Sequence, residues 1–212
     1  MILDGDGCWA WAGPARFDGR PALFLDRDGV IVEETNYLGD PKDVAMIPAA
    51  AATIAAFNRA GVPVVVVTNQ SGVARGYFSW ADFEAVQAEI AGQLAGHGAH
   101  VDAVFACAFH EKGEGRLAVA DHPWRKPAPG MLLEAQARLG VELARSFIVG
   151  DKAGDLGAGR AAGLAGGLHV ATGHGGADER AEALALQAPG FEVMLGDDIG
   201  AARDLLARMT GT

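Results

Sequence analysis

A chain of 212 residues, half of them hydrophobic and with a formal net charge of -10, suits one domain with modest insertions that buries about 70% of its unfolded surface. That charge argues against the broad basic face nucleic-acid binding needs, and it requires local cations to hold any anionic ligand. Two cysteines are too few for a disulfide framework, no apolar run approaches a membrane span, and the glycines follow no collagen-like period.

The chain opens with "MILDGDGCWAWAGPARFDG", which has acids where a signal peptide would carry positive charge and no long apolar region. We expect a soluble, reducing, cytoplasmic setting. Residues 1–20 read as an N-terminal extension of a single domain spanning 21–212. Within the extension, Asp4 to Gly7 read as a solvated turn at a loose terminus, with no strand before it.

"PALFLDRDGVIVEE" follows, an apolar run that reads as a buried strand and stops at Asp26-Arg27-Asp28-Gly29. Two carboxylates that close raise each other's cost of ionisation, so a cationic partner is expected between them. Residues 49–60 predict a helix. "VPVVVVTNQSG" predicts a strand ending at Thr68-Asn69. A second helix begins at Ser79, with Asp82 three residues on as a weak capping box, and runs to Gly96–Gly98. "VDAVFACAF" predicts a third strand, "GMLLEAQARLG" a helix and "RSFIVGD" a fourth strand. "GDLGAGRAAG" is a glycine-spotted helix, "GGLHVAT" a fifth strand and "IGAARDLLARM" a terminal helix. Near-continuous apolar strands alternating with helices predict an α/β fold, a doubly wound parallel sheet covered on both faces.

In such sheets the ligand sits at the carboxyl ends of the strands. Those ends carry Asp26 and Asp28, Thr68 and Asn69, the segment after Phe109, and Asp151. Asp26 is a candidate nucleophile, and Gly29 permits a sharp exit from the strand. Thr68 brings a hydroxyl, "WRKPAPGM" brings Lys126, and "VGDKAGD" brings Asp151, Lys152 and Asp155. Carboxylates from two strands suit a hard cation with oxygen ligands, most simply Mg²⁺. With one lysine and one hydroxyl, such a cation would bind a phosphoryl group and spread its charge.

The set "LFLDRDGVI", "VVVVTNQSGVARGYFS", "RKPAPGM" and "IVGDKAGDLGAGRAAG" resembles the haloacid dehalogenase superfamily. More narrowly, it is similar to the D,D-heptose 1,7-bisphosphate and histidinol-phosphate phosphatases. The match runs from about Pro21 to near Ala171. The resemblance implies two-step hydrolysis. Asp26 attacks the phosphomonoester and becomes an aspartyl-phosphate, while Asp28 protonates the leaving oxygen and later activates water. It also implies Mg²⁺ held by the Asp26 carboxylate, the Asp28 backbone carbonyl and Asp151, with Lys152 nearby. Thr68, Asn69 and Lys126 would hold the phosphoryl group. Glu34, Tyr37, Gln70, Ser71 and Arg125 would touch the rest of the substrate. The intervals from Asp26 to Thr68 and from His110 to Lys126 leave no room for a separate cap domain.

The resemblance breaks in one loop. Relatives of this type carry a zinc site just before the motif lysine, built as Cys-x-His then Cys-x-Cys. Here the aligned positions are Cys107, Phe109, His122 and Trp124, so two of the four tetrahedral ligands that structural zinc takes are lost. The expectation is that apolar packing replaces the metal, with a rearranged site of Cys107, His110 and His122 as the alternative. His174 reads as a loop histidine, Cys107 as a small buried residue, and "GYFSWADF" as helix-packing aromatics. "GAGRAAG" lacks the order of strand, glycine turn and helix that dinucleotide binding requires.

The expected activity is hydrolysis of a small phosphorylated sugar, with a heptose 1,7-bisphosphate cleaved at position 7 in the lead. Histidinol phosphate, a nucleic-acid end and a non-catalytic binding domain are the alternatives. A monomer is expected, with no nucleic-acid or membrane partner.

Overall fold

The apolar runs assemble into one sheet in the computed structural model, which describes residues 2–3 and 6–211. Its strands are β1 (Ile2–Leu3), β2 (Cys8–Ala12), β3 (Leu23–Leu25), β4 (Val64–Asn69), β5 (Ala103–Cys107), β6 (Phe147–Gly150), β7 (Gly166–Val170) and β8 (Glu192–Gly196). They lie in the order β1-β2-β5-β4-β3-β6-β7-β8. The strands from β3 onward are mutually parallel, whereas β2 runs antiparallel to β5 and to β1. The helices are α1 (Ala50–Arg59), α2 (Ser71–Ala74), α3 (Trp80–Gly96), α4 (Gly130–Leu139), α5 (Ala153–Ala162), α6 (Ala177–Leu184) and α7 (Leu206–Thr210).

Successive side chains of a strand face opposite sides of the sheet, and here both sides are covered. Leu23 and Leu25 pack with Val64, Val66 and the helix residues Ile54, Phe57, Phe83 and Ile90 of α1 and α3. Phe24 packs on the other face with Val65, Val67 and with Met131, Leu132 and Leu156 of α4 and α5. Burial on two faces is why these strands read as unbroken apolar runs. α3 starts where Ser79 and Asp82 form a reciprocal capping box, as the sequence predicts. Among the described residues no cap domain interrupts the fold. The interval before α1 holds a 3₁₀ turn at Pro41–Asp43, and the one before α4 holds another at Gly115–Leu117.

The N-terminal segment departs from expectation. Residues 8–12, placed outside the domain from sequence, form β2 and pair along their whole length with β5. Cys8, Trp9 and Ala10 are buried there. The run "CWAWA" escapes sequence reading because it is short, tryptophan-rich and flanked by glycines. Ile2–Leu3 do precede the acidic turn as a strand paired with Cys8–Trp9. Asp4 and Gly5 of that turn lie outside the described residues, while Asp6 offers its carbonyl to the Trp80 indole at 2.6 Å.

Two further elements went unread at the C-terminal end, α6 and the half-exposed strand β8. The terminal helix is 3₁₀ from Ile199 to Leu205 and becomes α-helical only at Leu206. Among the described residues no helix is long and apolar enough to cross a membrane.

Candidate active site

Each strand end delivers its residue to the same side of the sheet. Asp26 follows β3, with its backbone N–H donating to Val149 of β6 at 2.9 Å. Thr68 and Asn69 end β4, and Asp151 follows β6. Gly29 takes φ +79° directly after Asp28. A Cβ at Gly29 would fall 2.6 Å from an Asp151 carboxylate oxygen, so this turn needs glycine for conformation and for space.

The two acids of the motif take separate cations, Asp26 the Lys126 ammonium and Asp28 the Arg27 guanidinium, rather than sharing one between them. The Lys126 Nζ lies 2.9 Å from Asp26 Oδ1 and 2.5 Å from Asp155 Oδ1, and it donates to the Val67 carbonyl at 2.7 Å. Burial opposes the ammonium charge, yet Asp155 and Asp26 together raise its pKa above the ordinary lysine value. Asn69, expected to touch phosphate, instead clamps the Lys126 backbone. Its side-chain oxygen accepts from the Lys126 N–H and its amide donates to the Lys126 carbonyl, both at 3.1 Å. A strand-end residue thereby fixes a lysine 57 positions away. Asp155, which the sequence supplies without a role, is a full member of the cluster. Its other oxygen accepts the Lys152 N–H at 3.0 Å, capping α5.

The carboxylates of Asp26, Asp151 and Asp155 bring oxygens within 4.8 Å of one another, all buried. Asp151 Oδ1 receives no directed hydrogen bond, and Asp26 Oδ1 faces the Lys126 ammonium. Burial, then the charges of Asp26 and Asp155, push Asp151 up to about 8, although the His174 N–H donates to its other oxygen at 2.7 Å. Three buried carboxylates with one ammonium among them, and one oxygen left without a hydrogen bond, form a donor set that a hard divalent cation fits. Asp28 does not bring its carboxylate to this cluster; both its oxygens are held by Arg27 at 3.0 and 2.9 Å.

Beside the carboxylates an open cleft of about 260 Å³ is lined by Asp28, Glu34, Tyr37, Asn69, Gln70, Ser71, Lys152 and His174, among others. Glu34 and Tyr37, expected to touch substrate, are among the residues that line this cleft. Gln70 lines the cleft, but its side chain is turned inward, with its amide donating to Asp28 Oδ2 at 2.9 Å and to Thr68 Oγ1 at 2.8 Å. Arg125 is not among the cleft-lining residues and donates to the Phe109 carbonyl at 3.0 Å. His174, read as a plain loop histidine, reaches the cleft with Nε2 3.4 Å from Glu34. Tyr77, expected among helix-packing aromatics, is instead exposed, and with Arg75, given no role from sequence, it forms a cluster with Tyr37 in which the guanidinium meets both phenol oxygens. The ring of Tyr37 meets that of Tyr77 edge-on.

In the loop before Lys126, Phe109 is buried and stacks on the His122 ring at 4.0 Å, and Trp124 meets Phe105 edge-on. The cysteine–histidine group there is Cys8, Cys107 and His122, with ligand atoms within 4.8 Å; His110 is not part of it. The third member comes from β2, which sequence placed outside the domain. His122 Nδ1 already accepts the Trp124 N–H at 3.1 Å. Three ligands, one with a committed nitrogen, do not fit the four-ligand tetrahedral centre of structural zinc.

Residues 123–193 match the family model described as HAD-hydrolase-like. A D-glycero-beta-D-manno-heptose-1,7-bisphosphate 7-phosphatase of Mesorhizobium japonicum is 50% identical over 187 residues, 88% of this chain and 81% of that protein. A namesake from Vibrio cholerae is 41% identical over 78% of this chain and 89% of its own length. Among solved structures, a HAD-like protein of Mesorhizobium loti superposes with TM-score 0.85 at 47% identity, over 97% of this chain and 94% of that one. A D,D-heptose 1,7-bisphosphate phosphatase of B. bronchiseptica, complexed with magnesium and phosphate, superposes with TM-score 0.74 at 32% identity, over 89% and 98%. Strand-end carboxylates, a buried lysine and this degree of identity over most of the chain converge: the protein belongs to the haloacid dehalogenase-like (HAD-like) hydrolases.

Proposed function

We propose that the protein is a Mg²⁺-dependent phosphomonoesterase that removes the 7-phosphate of D-glycero-D-manno-heptose 1,7-bisphosphate. The observation that carries this reading is the meeting of Asp26, Asp151 and Lys126 at the ends of separate elements, with an Asp151 oxygen left without a hydrogen bond. Asp26 and Asp151, joined by the Asp28 backbone carbonyl, would hold the cation; when bound it neutralises charge on the carboxylates and on the phosphoryl oxygens. Asp26 attacks phosphorus and the P–O bond to the sugar breaks, leaving an aspartyl-phosphate. Asp28 gives a proton to the departing sugar oxygen, then takes one from the water that cleaves the intermediate and releases phosphate. Lys126 Nζ sits where it meets negative charge beside the nucleophile. The Thr68 oxygen accepts from Gln70, so its own O–H is left to donate to a phosphoryl oxygen. Glu34, Tyr37 and Ser71 line the cleft the sugar would occupy. The loop of Phe109 and Trp124 is held by apolar packing in place of zinc, and the enzyme works as a cytoplasmic monomer.

The test is phosphate release from heptose 1,7-bisphosphate and from histidinol phosphate, with and without Mg²⁺. Faster Mg²⁺-dependent release from the heptose is expected, and a preference for histidinol phosphate overturns the sugar assignment. Asp26→Asn should abolish turnover of both.

A further inference from the structure

We infer that Arg27, braced from α3 by Gln87 and Phe83, is the positioning residue for proton transfer by Asp28. The inference rests on the phosphatase reading above. Arg27 lies between the two motif carboxylates in sequence, yet its side chain turns away from the Asp26 cluster and is 1% exposed. Its Nε donates to one Asp28 oxygen at 3.0 Å and its Nη2 to the other at 2.9 Å, a two-pronged grip. The same Nη2 donates to Gln70 Oε1 at 3.2 Å, and Nη1 donates to Gln87 Oε1 at 3.3 Å. The guanidinium also lies 5.3 Å from the centre of the Phe83 ring. Four of its five N–H bonds are thereby directed.

Gln70 closes the network. With its oxygen on Arg27, its two amide hydrogens go to Asp28 Oδ2 and to Thr68 Oγ1. One buried guanidinium therefore fixes the group that moves protons. The brace comes from α3, 60 residues along the chain. A lysine keeps the charge but cannot reproduce the fork, so it releases one Asp28 oxygen while Gln70 keeps its bond to Thr68 Oγ1.

The split between two kinds of ester tests this. A sugar phosphate has a poor leaving oxygen that needs Asp28's proton, whereas p-nitrophenyl phosphate has a leaving group that departs without one. Because kcat/KM reports steps up to the first irreversible cleavage, Arg27→Lys should lose about 100-fold on the heptose phosphate, in the usual range for a general acid. It should stay within about threefold of wild type on the aryl phosphate, with KM for the sugar little changed. Gln87→Leu, at a half-buried position, should show the same split at about three- to tenfold and serves if Arg27→Lys does not fold. Parallel losses on both esters in a folded variant, or no loss on either, overturn the positioning role. Wild-type protein that releases no phosphate from either ester overturns the phosphatase reading itself.

Discussion

At the residue scale the site is a balance of three buried carboxylates against one buried ammonium. Lys126 touches Asp26 and Asp155 and is itself 6% exposed. Replacing it by methionine leaves those acids without compensation. A loss of about 3–5 kcal/mol is expected from breaking a buried pair on one side, read as a lower urea midpoint, together with loss of turnover. Asp151 supplies a pH prediction. Without a cation its folded pKa is about 8 against an ordinary 3.8, so between those values the folded state binds a proton that the unfolded chain has released. Stability of the cation-free protein therefore falls as pH rises from about 4 to 8. A cation competes with that proton, so the rise in Tm on adding Mg²⁺ should be larger at pH 8 than at pH 6. An equal rise at both removes Asp151 from the cation site. These roles were legible only in part. The spacing of Asp26, Asp28, Lys126 and Asp151 announces strand-end chemistry, but Asn69 and Gln70 could be read only as residues near a ligand. That Asn69 grips a backbone and Gln70 faces inward depends on which neighbours the fold supplies.

At the element scale, the strands read most readily were those buried on both faces. β3, β4 and β6 carry no alternation to confuse their limits, and their last residues mark the site. β8 was missed because it lies at the sheet's margin, where half-exposure dilutes the apolar signal, and β2 because it sits between glycines with no helix after it to mark the strand–helix alternation. In the loop from His110 to Arg125 and the strand end before it, aromatic rings pack at two of the four expected ligand positions. Phe109 sits against His122 and under Gly7, where an added Cβ would collide with its ring. Phe109→Ala should cost about 3–5 kcal/mol by leaving a cavity. A strong chelator should leave the melting temperature of Mg²⁺-free wild-type protein unchanged, whereas a chelator-induced drop would point to a metal on Cys8, Cys107 and His122. Ser79→Ala, which removes the α3 cap, should cost about 1 kcal/mol.

At the scale of the whole molecule, a chain of net charge -10 binds an anion by confining its cations. Lys126 is inside, Lys152 stands at the cleft, and Arg75 lies on Tyr37 at its edge. With no cap over the site, selectivity falls to the cleft-lining loops. The N-terminal segment also belongs to the whole. Removing residues 1–13 strips β5 of its antiparallel partner and exposes a buried sheet edge. The truncated chain should melt lower and self-associate at concentrations where the full chain does not, as light scattering would show; an unchanged melt would make the segment dispensable.

Local order along the chain settled that β3 to β7 are strands, that these run parallel and are doubly covered, and that their carboxyl ends carry acids and a hydroxyl, with a lysine motif between β5 and β6, because periodicity and strand-end chemistry are properties of neighbours in sequence. Only the tertiary structure decided that Cys8–Ala12 joins the sheet, that Asp155 shares Lys126 with Asp26, and that Arg27 holds Asp28 from a brace on α3. Those are meetings between residues tens of positions apart, and their energies come from burial and hydrogen-bond geometry that a one-dimensional pattern does not carry.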